Sequence, residues 1–199
     1  MVNLSFGIVA LGANLPLHGQ ELRAGLRRTL NILHSEPGIT ISAVSRFWRT
    51  PAIPAGSGPD FVNATATIRT SLRAPELLAA LHRIEADFGR DRTTGRWSAR
   101  VLDLDLIALD DTVLPDAATL QGWIDLPFAE QSRRTPDRLL LPHPRLQDRG
   151  FVLAPLAEIA PAWRHPLTGR DVSAMLADLP PAALAGMQPF SMSEDRAFA

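Results

Sequence analysis

The sequence predicts an α+β domain: a ferredoxin-like βαββαβ sandwich with extra helices toward its C-terminal end. Three observations predict it. Apolar residues alternate or run unbroken over four short segments, two segments between them carry helical spacing instead, and their chain order is β-α-β-β-α-β.

Ser5 to Leu11 is a nearly unbroken apolar run, read as a buried strand ended by Gly12-Ala13-Asn14. From Gln20 to His34, Leu22, Leu26, Leu30 and Leu33 share one helical face, and Pro37-Gly38 stops the helix. Ile39 to Arg49 reads as a second strand, and the Pro- and Gly-rich stretch Thr50 to Pro59 as a loop. Between Asp60 and Thr70, Val62, Ala64, Ala66 and Ile68 face one way; Phe61, Asn63, Thr65 and Thr67 face the other. Pro75 suits the first turn of a helix reaching Phe88, with Leu77, Leu78, Leu81, Ile84 and Phe88 on its apolar face. Gly89 to Ala99 is a polar loop, expected to act as a lid, and Arg100 to Leu109 is the fourth strand. Asp110 to Asp137 reads as an irregular inserted excursion. Gly150 to Ile159, despite Pro155, and Asp171 to Leu179 read as a third and a fourth helix. Residues 1–179 are thus expected to form one domain, and 180–199 a loosely ordered tail.

Composition narrows the function. With 199 residues, 46% of them hydrophobic, the chain is long enough for one good core. No apolar run approaches a membrane span of roughly 20 residues, and Met1 to Leu11 shows no export pattern. The absence of cysteine excludes thiol chemistry and disulfides, and a cytoplasmic address is expected. A net charge of -1 argues against nucleic acid as a partner. All 20 basic residues are arginine, so a P-loop, which needs lysine, is excluded. A nucleotide would have to be handled by arginine, metal and backbone.

In Val101-Leu102-Asp103-Leu104-Asp105-Leu106-Ile107, strand alternation puts Asp103 and Asp105 on one face, roughly 7 Å apart. Such a pair can share two hard cations, and magnesium suits few protein oxygens completed by substrate phosphates. Taken alone, the pattern more commonly marks a half-buried strand with acids on its wet face. Just ahead lie Arg90, Arg92, Arg96 and Arg100. Guanidinium groups beside a metal pair supply what phosphoryl transfer needs, although a solvated polar loop explains the arginines equally well. Glu85 sits near the apolar face of its helix, where a carboxylate takes a partner, plausibly an arginine of the next loop, or snorkels. Phe61 and Asn63 share a strand face and could stack on and read a flat heterocycle, or be core edge and satisfied amide. His143, between two prolines, could bond a nucleotide or be structural.

Taken together, these segments resemble the 6-hydroxymethyl-7,8-dihydropterin pyrophosphokinase family of folate biosynthesis. The resemblance is carried, in the family's order, by Leu11-Gly12-Ala13-Asn14-Leu15, Ser45-Arg46-Phe47-Trp48-Arg49-Thr50-Pro51, Pro59-Asp60-Phe61-Val62-Asn63-Ala64 and Ile84-Glu85 through Gly89-Arg90. It continues through Arg96-Trp97-Ser98-Ala99-Arg100-Val101-Leu102-Asp103-Leu104-Asp105, Leu141-Pro142-His143-Pro144 and Arg149-Gly150-Phe151 through Ile159-Ala160-Pro161. It implies the same ferredoxin-like fold and two small-molecule substrates, ATP and a reduced pterin, with neither nucleic acid nor membrane as partner; the oligomeric state stays open, a monomer being favoured. Asp103 and Asp105 would hold two Mg2+ ions, with Arg90 and Arg100 on the polyphosphate and Arg92 in the mobile loop. Phe61 and Phe151 would sandwich the pterin, Asn63 read its edge, Thr50, Pro51 and Ile53 wall the pocket, and Trp97 close over it. Glu85 would support the site, Leu78 and His82 lie near the adenine, and Arg138, His143 and Arg149 lie along the nucleotide. The rival readings are a ferredoxin-like binding module and a magnesium-dependent nuclease or phosphatase.

Overall fold

A computed structural model describes residues 3–16, 21–52, 58–89, 101–131 and 133–191. Its centre is β1 (Ser5–Ala13), whose apolar run is buried from Gly7 to Ala13, with antiparallel partners on both sides. One partner is β4 (Phe61–Thr70), the other the sheet-edge strand β5 (Asp103–Leu109). Beyond β4 lie β2 (Ile39–Val44) and β3 (Trp48–Thr50), both antiparallel to it. Every pairing within this sheet is antiparallel, as hairpin-like and split-βαβ connections require.

Helices α1 (Leu22–Ser35) and α2 (Ala74–Asp87) cover one face. Their Leu26, Leu30, Leu33, Leu77, Leu81 and Ile84 meet the inward residues of the strands, among them Leu11, Val62, Ala64 and Leu104. The opposite face is covered by α5 (Gly150–Ile159) and α6 (Val172–Ala177). There Val152, Leu153, Leu156, Val172 and Met175 pack on Ile8, Ala10, Ile107 and Ala108. The expected two-layer sandwich with extra C-terminal helices is therefore present, and those helices make a third layer.

Three expectations need correction. The strand expected over Ile39 to Arg49 is broken at Ser45–Phe47, because side chains take over part of the ladder there. The Ser45 hydroxyl accepts from the Thr65 N–H at 3.0 Å, and Glu158 accepts from the Arg46 N–H at 2.9 Å. The excursion is not irregular: it folds α3 (Ala117–Ile124) and the short α4 (Phe128–Gln131). Asp116 caps α3 by accepting from the Thr119 N–H at 2.8 Å, and Leu120 beneath is fully buried. The stretch expected to be a loose tail makes a 3-10 turn, Pro181–Ala183, and β6 (Gln188–Pro189), which pairs with β3. Phe190 donates its N–H to the Phe47 carbonyl at 2.8 Å, and Arg23 and Arg49 lie 4.7 and 5.7 Å from its ring centroid. Residues 192–199 lie outside the described residues, as do Ile53, the expected lid from Arg90 onward with Arg92, Arg96 and Trp97, and Arg100 at the start of the expected fourth strand.

Candidate active site

The strand registers line up the polar residues of one face. Asp103 is opposite Gly12 on β1, Gly12 is opposite Asn63 on β4, and Asn63 is opposite Trp48 on β3. One step along, Asp105, Ala10 and Thr65 form a second row. Adjacent strands are about 4.8 Å apart, so Asp103 and Asn63 stand about 10 Å apart with only a glycine between them. That gap is the floor of the site. A Cβ on Gly12 would lie 2.5 Å from Asn63 Oδ1, so the glycine is what lets the amide lie across the strand. Asn63 is buried, and its Nδ2 donates to Thr50 Oγ1 at 2.6 Å, which fixes the amide orientation. Thr50 in turn is opposite Phe61, so the amide, hydroxyl and aromatic ring expected to meet a heterocycle share one patch.

At the other end of the floor, Asp103 and Asp105 are half-buried on the same face, as alternation predicts. Arg149 Nη1 donates to Asp105 Oδ2 at 2.9 Å. Arg149 precedes α5 directly, and its guanidinium lies 5.6 Å from the Phe151 ring centroid. One arginine thus joins the expected metal strand to the expected pterin-stacking ring. His143 runs beside β5, donating its N–H to the Ile107 carbonyl at 2.8 Å. Burial holds its pKa well below the ordinary histidine value, Arg149 and Arg145 push the same way, and Asp103 opposes them. Its Nδ1 accepts from the Arg145 N–H at 3.0 Å, so the neutral ring carries its proton on Nε2 and presents a donor.

Glu85 lies behind the expected metal strand. It is 0% exposed, on the helical side of the sheet, and accepts from the Leu104 N–H at 2.8 Å. Leu104 lies between the two aspartates on an edge strand, where an outward N–H needs a partner. Glu85 supplies it and so fixes β5 from behind. Leu78 and His82 lie on the same helix, Leu78 packed against the core of that face. Arg138 is exposed and pairs with its neighbour Asp137 at 3.3 Å. The structure therefore brings together Thr50, Phe61, Asn63, Asp103, Asp105, His143, Arg149 and Phe151, with Pro51 following β3, while Leu78, His82 and Glu85 sit on α2 across the sheet.

Two contributors escape a reading of motifs. Gly12 matters for what it lacks, and only the register shows it. Glu158 matters because it shares a helical face with Phe151 two turns earlier, a spacing the sequence does contain. Its carboxylate takes donors from Arg46 and Trp48.

The carboxylate pair fits a divalent cation. Both acids face one way, and the Arg149 guanidinium that now neutralises Asp105 would have to release it to a bound cation. A site of so few protein oxygens suits magnesium completed by phosphate, not an all-protein cage.

A family model described as 7,8-dihydro-6-hydroxymethylpterin-pyrophosphokinase (HPPK) matches residues 8–161. Proteins named 2-amino-4-hydroxy-6-hydroxymethyldihydropteridine pyrophosphokinase are similar along most of the chain. That of Synechocystis sp. is 36% identical over 165 residues, covering 83% of this chain and 71% of its own. That of Pseudomonas aeruginosa is 36% identical over 172 residues, covering 86% and 90%. In fold alone, the chain is similar to the crystal structure of wild-type Plasmodium falciparum HPPK-DHPS, with TM-score 0.60 at 13% identity. The match covers 87% of this chain but 44% of that one, so this chain spans less than half of it. No helix among the described residues is long and apolar enough to cross a membrane. Sheet order, the paired aspartates and the span of the match agree, and the chain belongs to the HPPK family.

Proposed function

We propose that the floor between Asp103 and Asn63 is where the pyrophosphoryl group of ATP passes to the hydroxymethyl oxygen of 6-hydroxymethyl-7,8-dihydropterin, the reaction for which the family is named. The observation that carries this is the row Asp103–Gly12–Asn63, which separates an acidic end from an amide and aromatic end by about the width of one small molecule. Phe61 and Phe151 stack on the pterin from sheet and helix, Asn63 reads its edge, and Thr50 and Pro51 wall the pocket. Asp103 and Asp105 would hold two Mg2+ ions, which would neutralise phosphate charge and lower the pKa of the attacking hydroxyl.

The remaining work belongs to side chains. Arg149 moves its fork from Asp105 to the triphosphate, because a guanidinium matches phosphate as well as carboxylate. His143 donates from Nε2 to a phosphate oxygen, and stays neutral because burial and two arginines disfavour a second proton. Asp105 accepts a hydrogen bond from the attacking hydroxyl and orients it. That oxygen bonds to the β-phosphorus as the bond to the α-phosphate bridging oxygen breaks; the hydroxyl proton is lost to bulk water and AMP leaves. Positioning and charge stabilisation carry the rate. Arg90, Arg92, Arg100, Trp97 and Ile53 complete the site in this reading, as do Leu78, His82 and Arg138 along the nucleotide. A cytoplasmic, monomeric enzyme is part of the same proposal, and the cysteine-free composition supports the address.

The test resolves nucleotide products after incubation with ATP, Mg2+ and the pterin alcohol. AMP should form in step with pterin pyrophosphate, and Asp103→Asn and Asp105→Asn should abolish both. ADP as product, or AMP release without pterin, would overturn the reading.

A further inference from the structure

Helix α5 crosses the sheet on the site face, and it is tied down at both ends. At its start Arg149 bonds Asp105 on β5. Near its end Glu158 bonds the β2–β3 corner. The strand order β5-β1-β4-β3 puts three strand spacings between those anchors, about 14 Å. From Arg149 to Glu158 a helix rises about 13.5 Å. The helix is therefore as long as the slot it spans, and each end meets one tie.

The C-terminal tie is dense. Glu158 Oε1 accepts from Arg46 Nε at 3.0 Å, from Arg46 Nη2 at 2.8 Å and from Trp48 Nε1 at 3.0 Å. Its Oε2 accepts from the Arg46 backbone N–H at 2.9 Å. Trp48 is the residue opposite Asn63, and Thr50, which holds the Asn63 amide, is two residues on. Phe151 shares Glu158's helical face. One carboxylate thus joins the helix that carries the upper stacking ring to the strand that orients the lower wall.

We infer that Glu158 is a positioning residue for the pterin: it sets the gap between Phe151 above and Phe61 and Asn63 below. This rests on the pterin pocket proposed above. The carboxylate form is required because both oxygens face donors. A glutamine would turn its oxygen to the three side-chain donors and its amide N–H2 toward the Arg46 N–H, which repels it. The nucleotide end of the floor lies at the far end of the helix, three strand spacings from Glu158, and should not register the change.

The experiment compares wild type, Glu158→Gln, Trp48→Phe and the double variant by calorimetry. Each is titrated with a non-hydrolysable ATP analogue and Mg2+, then with the pterin alcohol. Glu158→Gln should weaken pterin binding about tenfold, the cost of a sub-ångström misfit of a stacked ring, with analogue affinity within about twofold. In turnover, KM for the pterin should rise while kcat falls less than about threefold. Trp48→Phe keeps an aromatic ring and leaves the carboxylate in place, removes one donor, and should give a smaller loss of the same kind. It carries the test should Glu158→Gln fail to fold. The double variant should bind pterin no more weakly than Glu158→Gln, since both act through one carboxylate. Unchanged pterin affinity in the single variants, or equal loss for pterin and nucleotide, overturns the clamp. Wild type that binds the analogue but no pterin sinks the pocket, and the clamp with it.

Discussion

Gly12→Ala tests the floor of the site with one methyl group. The added Cβ would stand 2.5 Å from Asn63 Oδ1 and 3.6 Å from its Cγ. Ordinary contact is about 3.4 Å or more, so the amide oxygen must withdraw by about 1 Å. Asn63 has little room to do so. It is 7% exposed, and the same planar amide holds Thr50 Oγ1 at 2.6 Å, so turning the oxygen away pulls Nδ2 off its acceptor. The lost bond costs about 1 kcal/mol and residual crowding brings the total to about 1–3 kcal/mol. For a domain of this size that lowers Tm by about 2–12 °C. Catalysis should suffer more, because a 1 Å displacement of a substrate-reading group can cost about a hundredfold. The assay is kcat/KM for the pterin alcohol at saturating ATP, in wild-type and Asn63→Ala backgrounds. In the second background the clashing atom is gone, and Gly12→Ala should add little. A Gly12→Ala enzyme with kcat/KM within about twofold of wild type, or an undiminished loss in the Asn63→Ala background, would refute the reasoning.

Gly150→Ala should destabilise by about 1–3 kcal/mol in urea, since its Cβ would lie 2.4 Å from the Ala183 carbonyl oxygen, a backbone atom that cannot turn aside. The same substitution in a chain ending at Leu179 should be nearly neutral. His165 is buried, its Nδ1 accepts from the Leu167 and Thr168 N–H groups, and burial holds its pKa below the ordinary value. Because the unfolded chain takes up that proton below about pH 6.5 and the folded chain refuses it, stability should fall as pH drops from there and level off below the folded pKa. His165→Gln should reduce this slope between pH 6.5 and 5 in pH-resolved thermal melts, with His143 contributing in the same sense, and an unaltered slope would count against it. Arg149→Met removes the cation that holds Asp105 and should raise nucleotide-free Mn2+ affinity by severalfold in electron paramagnetic resonance titration, while weakening ATP binding. Weaker Mn2+ binding would show that Arg149 orients Asp105 instead of competing for it.

What the sequence disclosed and what it hid divide along physical lines. Alternation alone placed Asp103 with Asp105 and Phe61 with Asn63, because a strand's period is fixed by its backbone. The order of elements was legible for the same reason. The break at Ser45–Phe47 was not, because it is made by Thr65 and Glu158, residues distant in sequence. Nor was the ordered segment 181–190, which is held by Gly150, Phe47, Arg23 and Arg49 and has no strong periodicity of its own. That Glu85 meets a partner was legible; that one partner is the backbone of β5 was not. Its bond to the Leu104 N–H depends on β5 being an edge strand, which is a property of the sheet and not of the helix. The excursion carried a readable cap, Asp116 before Ala117, but helices that short lack the turns that make a period visible.

The charges at the two ends of α5 run against its own dipole. Arg149 stands at the N-terminal end, where a helix favours anions, and Glu158 in the last turn, where it favours cations. Each placement costs the isolated helix about 0.3–1 kcal/mol. Swapping them would stabilise the helix and ruin both ties, since Asp105 would face an acid and Arg46 a base. The arrangement therefore makes sense only through the sheet, where an acid of β5 meets a helix base and an arginine before β3 meets a helix acid. In a chain without lysine, both ties use a guanidinium. That matters at each end. Arg149 reaches Asp105 while lying over Phe151, and Arg46 reaches Glu158 with two nitrogens while lying 5.8 Å from the Trp48 ring centroid. A lysine is a point charge and could not form the forked pair. Substituting Arg46→Lys should therefore loosen the helix end even though the net charge is unchanged.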